Sequence, residues 1–147
     1  LILALACDYR LGVDGEYRIG LNEVAIGASY PRIAIEIVKL RLPHPRAAEL
    51  LLGAALYPAS QAVRLGVVDE LLPAEAFEDT VLRRARRMGA FPREAYADTK
   101  AVLLEDAIAR VDGESAAEAA RRAAIWKAPE SRAARAAQRQ KLGKDRA

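Results

Sequence analysis

The chain is nearly devoid of cysteine, histidine and aromatic side chains, and each scarcity closes off a class of chemistry. Its one cysteine, Cys7, has no internal partner. No internal disulfide can form, which suits a reducing compartment, and the cytoplasm is the expected location. Cys7 lies in an apolar run and is expected to be buried packing rather than a nucleophile. The one histidine, His44, leaves no His-based catalytic triad and no His-rich metal site within these 147 residues. It stands between Pro43 and Pro45, which predicts a surface turn. Aromatic residues are only 5% of the chain, so its core must be aliphatic. No uninterrupted apolar run reaches about 18 residues, so no membrane span is predicted. The opening LILALAC is too short for one, and it lacks the basic lead-in and cleavage pattern of a secretory signal. No basic run is interleaved with stacking aromatics, which argues against nucleic acid as a partner.

What is present is enough for one ordinary domain: 52% of the residues are hydrophobic. The net charge of +3 is unevenly spread. Residues 1–73 hold 7 basic and 8 acidic side chains; residues 74–147 hold 16 and 12. In the second part the signs alternate at helical spacing, as from Glu118 to Arg122, which reads as a solvated helical surface. Attraction of an anionic ligand such as a nucleotide phosphate is the functional alternative.

Residues 1–7 read as an apolar helix. The chain opens there, at Leu1, with no initiator Met, and we expect it to be the C-terminal part of a longer protein. Residues 8–13 and 16–19 read as two short strands around an Asp14-Gly15 turn. Residues 20–27 read as a loop or short strand. Pro31 is expected in the first turn of a helix on which Ile33, Ile37 and Leu40 share one face. The Pro43-His44-Pro45 break ends it. A helix over 46–56, a turn at Pro58, a short helix stopped by Gly66 and a strand in VVDELLP follow. Beyond Pro73 the pattern is helical over 74–88, 92–110, 114–127 and 130–142, punctuated by Gly89, Pro92, Asp112-Gly113 and Pro129. No internal repeat occurs. Two early strands alone would make a marginal sheet, which again suggests part of a larger fold.

One carboxylate stands out. Glu23 lies in IGLNEVAIG, among Ile19, Leu21, Val24 and Ile26. A lone acid in apolar surroundings is a candidate general base, and such surroundings favour proton shuttling near neutral pH. The alternative is a structural ion pair with an arginine such as Arg10 or Arg18.

Four segments, LILALACDYR at 1–10, IGLNEVAIG at 19–27, AAELLLGAALYPASQAVRLGVVDELLP at 47–73 and KAPESRAA at 127–134, resemble in order and spacing the C-terminal half of the crotonases, the enoyl-CoA hydratases and isomerases. The resemblance implies an α/β fold: the end of a spiral of ββα units over 1–73, carrying half of the active site, then a helical assembly domain over 74–147. The chain itself is then mostly α. It implies an acyl-CoA thioester substrate, no metal or redox cofactor, CoA arriving as part of the substrate, and homotrimers or hexamers. Its oxyanion hole would stabilise an enolate with two backbone N–H donors. Both donors would lie outside this sequence, so the 147 residues alone are expected to be inactive.

By the same resemblance, one catalytic Glu of the hydratases matches Ile2 and the other matches Glu23. GLNE resembles the Δ3-Δ2-enoyl-CoA isomerases. Glu23 is therefore the catalytic candidate, with Ile2, Ile19, Leu21 and Asn22 as substrate-binding candidates. Hydration is served by two acids; moving a double bond needs a proton to leave one carbon and return two carbons away, which one carboxylate can do. Isomerisation is the preferred expectation and hydration the second. A non-catalytic oligomerisation module, or an inactive chain, is the reading from another class. Lys100 falls where relatives approach the CoA nucleotide, although a surface lysine is the commoner explanation. Tyr96 and Trp126 are expected to pack, and Asp8 to cap or bridge.

Overall fold

The computed structural model describes residues 1–144, so the last three residues of the 74–147 segment lie outside it. Eight helices and four three-residue strands follow one another: α1 Ile2–Ala6, β1 Leu11–Val13, β2 Arg18–Gly20, α2 Arg32–Arg41, α3 His44–Gly53, β3 Leu56–Pro58, α4 Ala59–Leu65, β4 Glu70–Leu72, α5 Ala74–Gly89, α6 Arg93–Asp112, α7 Ala116–Lys127 and α8 Pro129–Lys144. A single 3-10 turn, Val24–Ile26, lies between β2 and α2. The expected predominance of helix holds.

The hairpin expected around Asp14-Gly15 does not form. Four residues separate β1 from β2, rather than the two of a tight hairpin, and the strands part. β1 pairs in parallel with β4, Gly12 opposite Leu71, and β2 pairs antiparallel with β3, Ile19 opposite Tyr57. Each strand thus finds an apolar partner about forty or more residues on. β3 has no counterpart in the sequence expectations, because Pro58 reads only as a turn.

Prolines set the helix boundaries. Pro31 is the extended N-cap residue of α2 rather than part of its first turn. Leu42 precedes Pro43 and leaves the helix with extended angles, as the residue before a proline favours. α3 then starts at His44, earlier than position 46, with Pro45 in its first turn, where a missing N–H costs nothing. His44 is exposed, as expected. Gly66 stops α4 with φ of 79°. The helices after Pro73 fall close to the expected spans.

One aliphatic core occupies the first part of the chain. Leu5 of α1, Leu21, Ala34 and Val38 of α2, Leu50 of α3 and Ala62 of α4 are all nearly inaccessible. The face of α2 that carries Ile33, Ile37 and Leu40 is not the one that enters this core. It lines a groove with Leu104, Ile108 and Val111 of α6. In α1, Leu5 points inward while Leu3 stands out in solvent. Cys7, expected to be buried, is exposed: it follows the last turn of α1 with extended angles and leaves the packed surface.

The tail helices return to the first part. α6 packs along α2, joined by the buried Glu36, which accepts from Arg110 at 2.7 Å and Lys39 at 3.1 Å. α8 packs on the 3-10 turn, where Ser131 is buried against Gly27. Glu118 and Arg122, interleaved at helical spacing, do not pair with each other among the described residues. Glu118 closes a capping box with Ser115 at the start of α7, and Arg122 pairs with Glu114.

Candidate functional site

Glu23 occupies a turn that the backbone defines closely. Its carbonyl accepts from the N–H groups of Ile26 at 3.1 Å and Ala28 at 2.8 Å. Gly27 closes the turn with φ of 70°, a conformation that side chains resist. Ser131 of α8 lies against it, so close that a Cβ on Gly27 would stand 2.5 Å from the Ser131 Cα. The turn holding Glu23 is thereby clamped between the start of α2 and α8.

The carboxylate is half-buried and its partner is a tyrosine. Tyr30 donates its phenol O–H to Glu23 Oε2 at 2.7 Å. Tyr30 is 6% exposed. Burial and then the carboxylate beside it push its phenol well above the ordinary tyrosine range, so it stays a donor. The ion pair considered from sequence is not made. Arg10 is bound twice to Asp69, through its N–H at 2.7 Å and its guanidinium at 2.6 Å. Neither Arg10 nor Arg18 forms a salt bridge with Glu23 among the described residues.

The neighbouring apolar candidates belong to the core or its edge. Ile2, Ile19 and Leu21 all join the same apolar cluster as Tyr30, with Leu21 fully inside and Ile2 and Ile19 at its edge. Asn22 is half-buried beside Glu23. Val24, in contrast, is exposed, so the apolar surround is one-sided. Tyr30 was missed from sequence. The signal available was weak: a tyrosine before the helix-opening Pro31, whose contact with Glu23 depends on how the intervening turn folds.

The remaining polar candidates are engaged. Asp8 is a bridge, as expected: it accepts from Lys100 at 2.6 Å, from Tyr96 at 2.5 Å and from Arg41 at 3.5 Å. The Lys100 contact, then that of Tyr96, holds its carboxyl below the usual range. Trp126 carries the Arg135 guanidinium 3.8 Å above its ring, a packing role in keeping with expectation. A cavity of ≈ 690 Å³ opens between β1, α5 and α6, but its lining of Tyr9, Phe77, Phe91 and others does not include Glu23.

The family model described as enoyl-CoA hydratase/isomerase matches residues 1–137. The chain belongs to this family. Human mitochondrial enoyl-CoA delta isomerase 1 is 32% identical over 111 residues, covering 75% of this chain and 37% of that protein. A probable enoyl-CoA hydratase of Mycobacterium avium is 31% identical over 101 residues, covering 69% and 39%. The crystal structure of human mitochondrial delta3-delta2-enoyl-CoA isomerase superposes with a TM-score of 0.89 at 25% identity, covering 99% of this chain and 57% of that one. The chain thus covers 37% and 39% of the two curated relatives and 57% of the solved chain, less than two thirds of each. The crotonase resemblance and the expected C-terminal part of that fold are borne out. Among the described residues no helix is long and apolar enough to cross a membrane.

Proposed function

We propose that the whole protein moves the double bond of an enoyl-CoA, with Glu23 as its single acid–base group. Glu23 takes a proton from the carbon beside the thioester carbonyl, and the electron pair moves onto the thioester oxygen as a dienolate. The same proton is returned two carbons further along, which regenerates the carboxylate and leaves the double bond conjugated. Every atom of the substrate is retained. No metal or redox cofactor enters the proposal; CoA is part of the substrate.

The observation that carries this reading is the environment of Glu23. It is half-buried, tied by a neutral phenol, and free of any cation among the described ion pairs. A carboxylate paired with arginine would be a poor base, and Glu23 makes no such pair among the described residues. Ile2, at the position matched with the other catalytic acid of the hydratases, offers an alkyl chain that cannot hold a water. Ile2, Ile19 and Asn22 form the proposed wall of the acyl site, with Leu21 behind them in the core. Hydration is the second reading, favoured by the likeness to a protein named as a probable hydratase.

Residues 1–73 supply this half of the site and 74–147 the assembly helices. α5 and α7 bury no residue of their own, while Val102, Leu103 and Trp126 stand exposed on the tail, which supports a homotrimer or a pair of trimers. The exposed thiol suits a reducing compartment, and we assign the cytoplasm. The deciding experiment compares kcat/KM for migration of a 3-enoyl-CoA with that for hydration of a 2-enoyl-CoA on one preparation of the whole protein. Migration should be about 10²-fold faster or more, since a missing acid–base partner costs roughly 10²–10⁴-fold. Hydration at an equal rate would reverse the ranking.

A further inference from the structure

We propose that Tyr30 is a positioning residue for Glu23, fixing which carboxylate oxygen faces the substrate and keeping it fixed through the proton's departure and return. The inference rests on Glu23 being the acid–base group. The phenol donates to Oε2 at 2.7 Å, and Oε1 accepts no hydrogen bond among those described. Oε1 is therefore the atom left to take the proton.

Three features make the arrangement stiff. The Tyr30 ring is buried in the core cluster with Leu21 and Ala34. Pro31 restricts Tyr30 to extended angles at the mouth of α2. The Gly27 turn, backed by Ser131, brings the two residues together across seven positions of chain.

The chemistry suits a neutral donor. A phenol can donate to Oε2 while the carboxylate is charged and, more weakly, while Oε1 carries the proton. An arginine in its place would favour only the charged form and oppose proton uptake. The phenol is held well above the ordinary range, so it remains a donor in both states and is not itself the base. Proton return at a second carbon demands that the carboxyl not rotate in between, and a bond to Oε2 prevents that rotation.

The test is a double-mutant cycle on the whole protein, assayed for migration of a 3-enoyl-CoA, with thermal unfolding as a check that each variant folds. Tyr30→Phe keeps the buried ring and removes only the hydroxyl. It should lower kcat by about 10- to 100-fold, the scale of a misplaced reacting group, with KM changed less than about threefold. In the Glu23→Gln background the same change should alter kcat less than about twofold, because nothing remains to position. Full kcat in Tyr30→Phe while Glu23→Gln is crippled would overturn the inference and leave the function standing. An equal loss in both backgrounds would mark Tyr30 as merely structural and also overturn it. If Glu23→Gln itself retains activity, the acid–base assignment fails first and the role of Tyr30 with it. Should Tyr30→Phe unfold, 3-fluorotyrosine at position 30 keeps ring and donor, and restored kcat with restored folding supports the role; folding restored without kcat counts against it.

Discussion

Gly27→Ala separates two costs that usually arrive together. The residue sits at φ of 70° and ψ of 27°, where an L side chain costs about 1–2 kcal/mol. A Cβ would also lie 2.5 Å from the Ser131 Cα and 2.7 Å from its Cβ and Oγ. That obstacle is helix backbone, with Ser131 only 1% exposed, so α8 must move as a body. Overpacking of this kind adds about 1–3 kcal/mol. Alanine stiffens the unfolded chain and returns roughly 0.4–1 kcal/mol. The sum is a loss of about 2–4 kcal/mol. Gly66→Ala is the internal control: φ is 79°, but its Cβ would meet only the tip of Leu42 at 3.1 Å, which can swing aside. It should cost about 1 kcal/mol, the conformational part alone. Urea unfolding of both variants, with slopes checked for equality, gives the comparison. If Gly27→Ala loses no more than Gly66→Ala, then α8 is not clamped on the turn and the stiffness claimed for Glu23 has no basis.

Glu36→Gln should destabilise by about 1–2 kcal/mol at neutral pH. Removing one member of a buried pair can cost 3–5, but the cations left behind, Arg110 and Lys39, are 44% and 42% exposed and water receives them. Burial alone would push the Glu36 carboxyl up; hydrogen bonds from Arg110 and Lys39 outweigh it and hold it below its ordinary 4.5. A depressed carboxyl stabilises above its unfolded value, and that stability is lost as the pH falls through the folded value. The gap between wild type and variant should therefore close below pH 4.5, and a gap that widens there would contradict the pairing. Ser115→Ala should cost about 1 kcal/mol by opening the capping box of α7, seen as reduced amide-exchange protection in its first turn. Light scattering of the whole protein should give a multiple of three protomers, and a clean monomer would leave the exposed apolar tail residues unexplained.

Helices were more legible than sheet. Those beyond Pro73 are bounded by residues whose effects are local: Pro92 and Pro129 start helices, and Gly113 follows the end of one. Strand pairing is not local. Nothing near Leu11 says that it will lie beside Glu70, while Asp14-Gly15 offers a nearer turn that the fold uses without making a hairpin. Cys7 was misplaced for a related reason. Seven apolar residues in a row mark a buried segment, but a helix has an outer face and an end, and both Leu3 and Cys7 fell there.

The site shows the same division. Glu23 was legible because a single acid among isoleucine, leucine and valine is conspicuous in any order of reading. Its partner was not, because a partner is a matter of how the chain returns. The sequence alternative to a general base is an ion pair with Arg10 or Arg18, since a carboxylate in apolar company must be satisfied somehow. The fold satisfies it with a phenol instead, and sends Arg10 to Asp69. That choice bears on chemistry as much as on stability. A cation would make the same carboxylate comfortable and inert, whereas a neutral donor holds it in place and leaves its charge available. On the proposed reading, the difference between a structural acid and a working base is the identity of one neighbour, Tyr30, and the Gly27 turn decides which neighbour it meets.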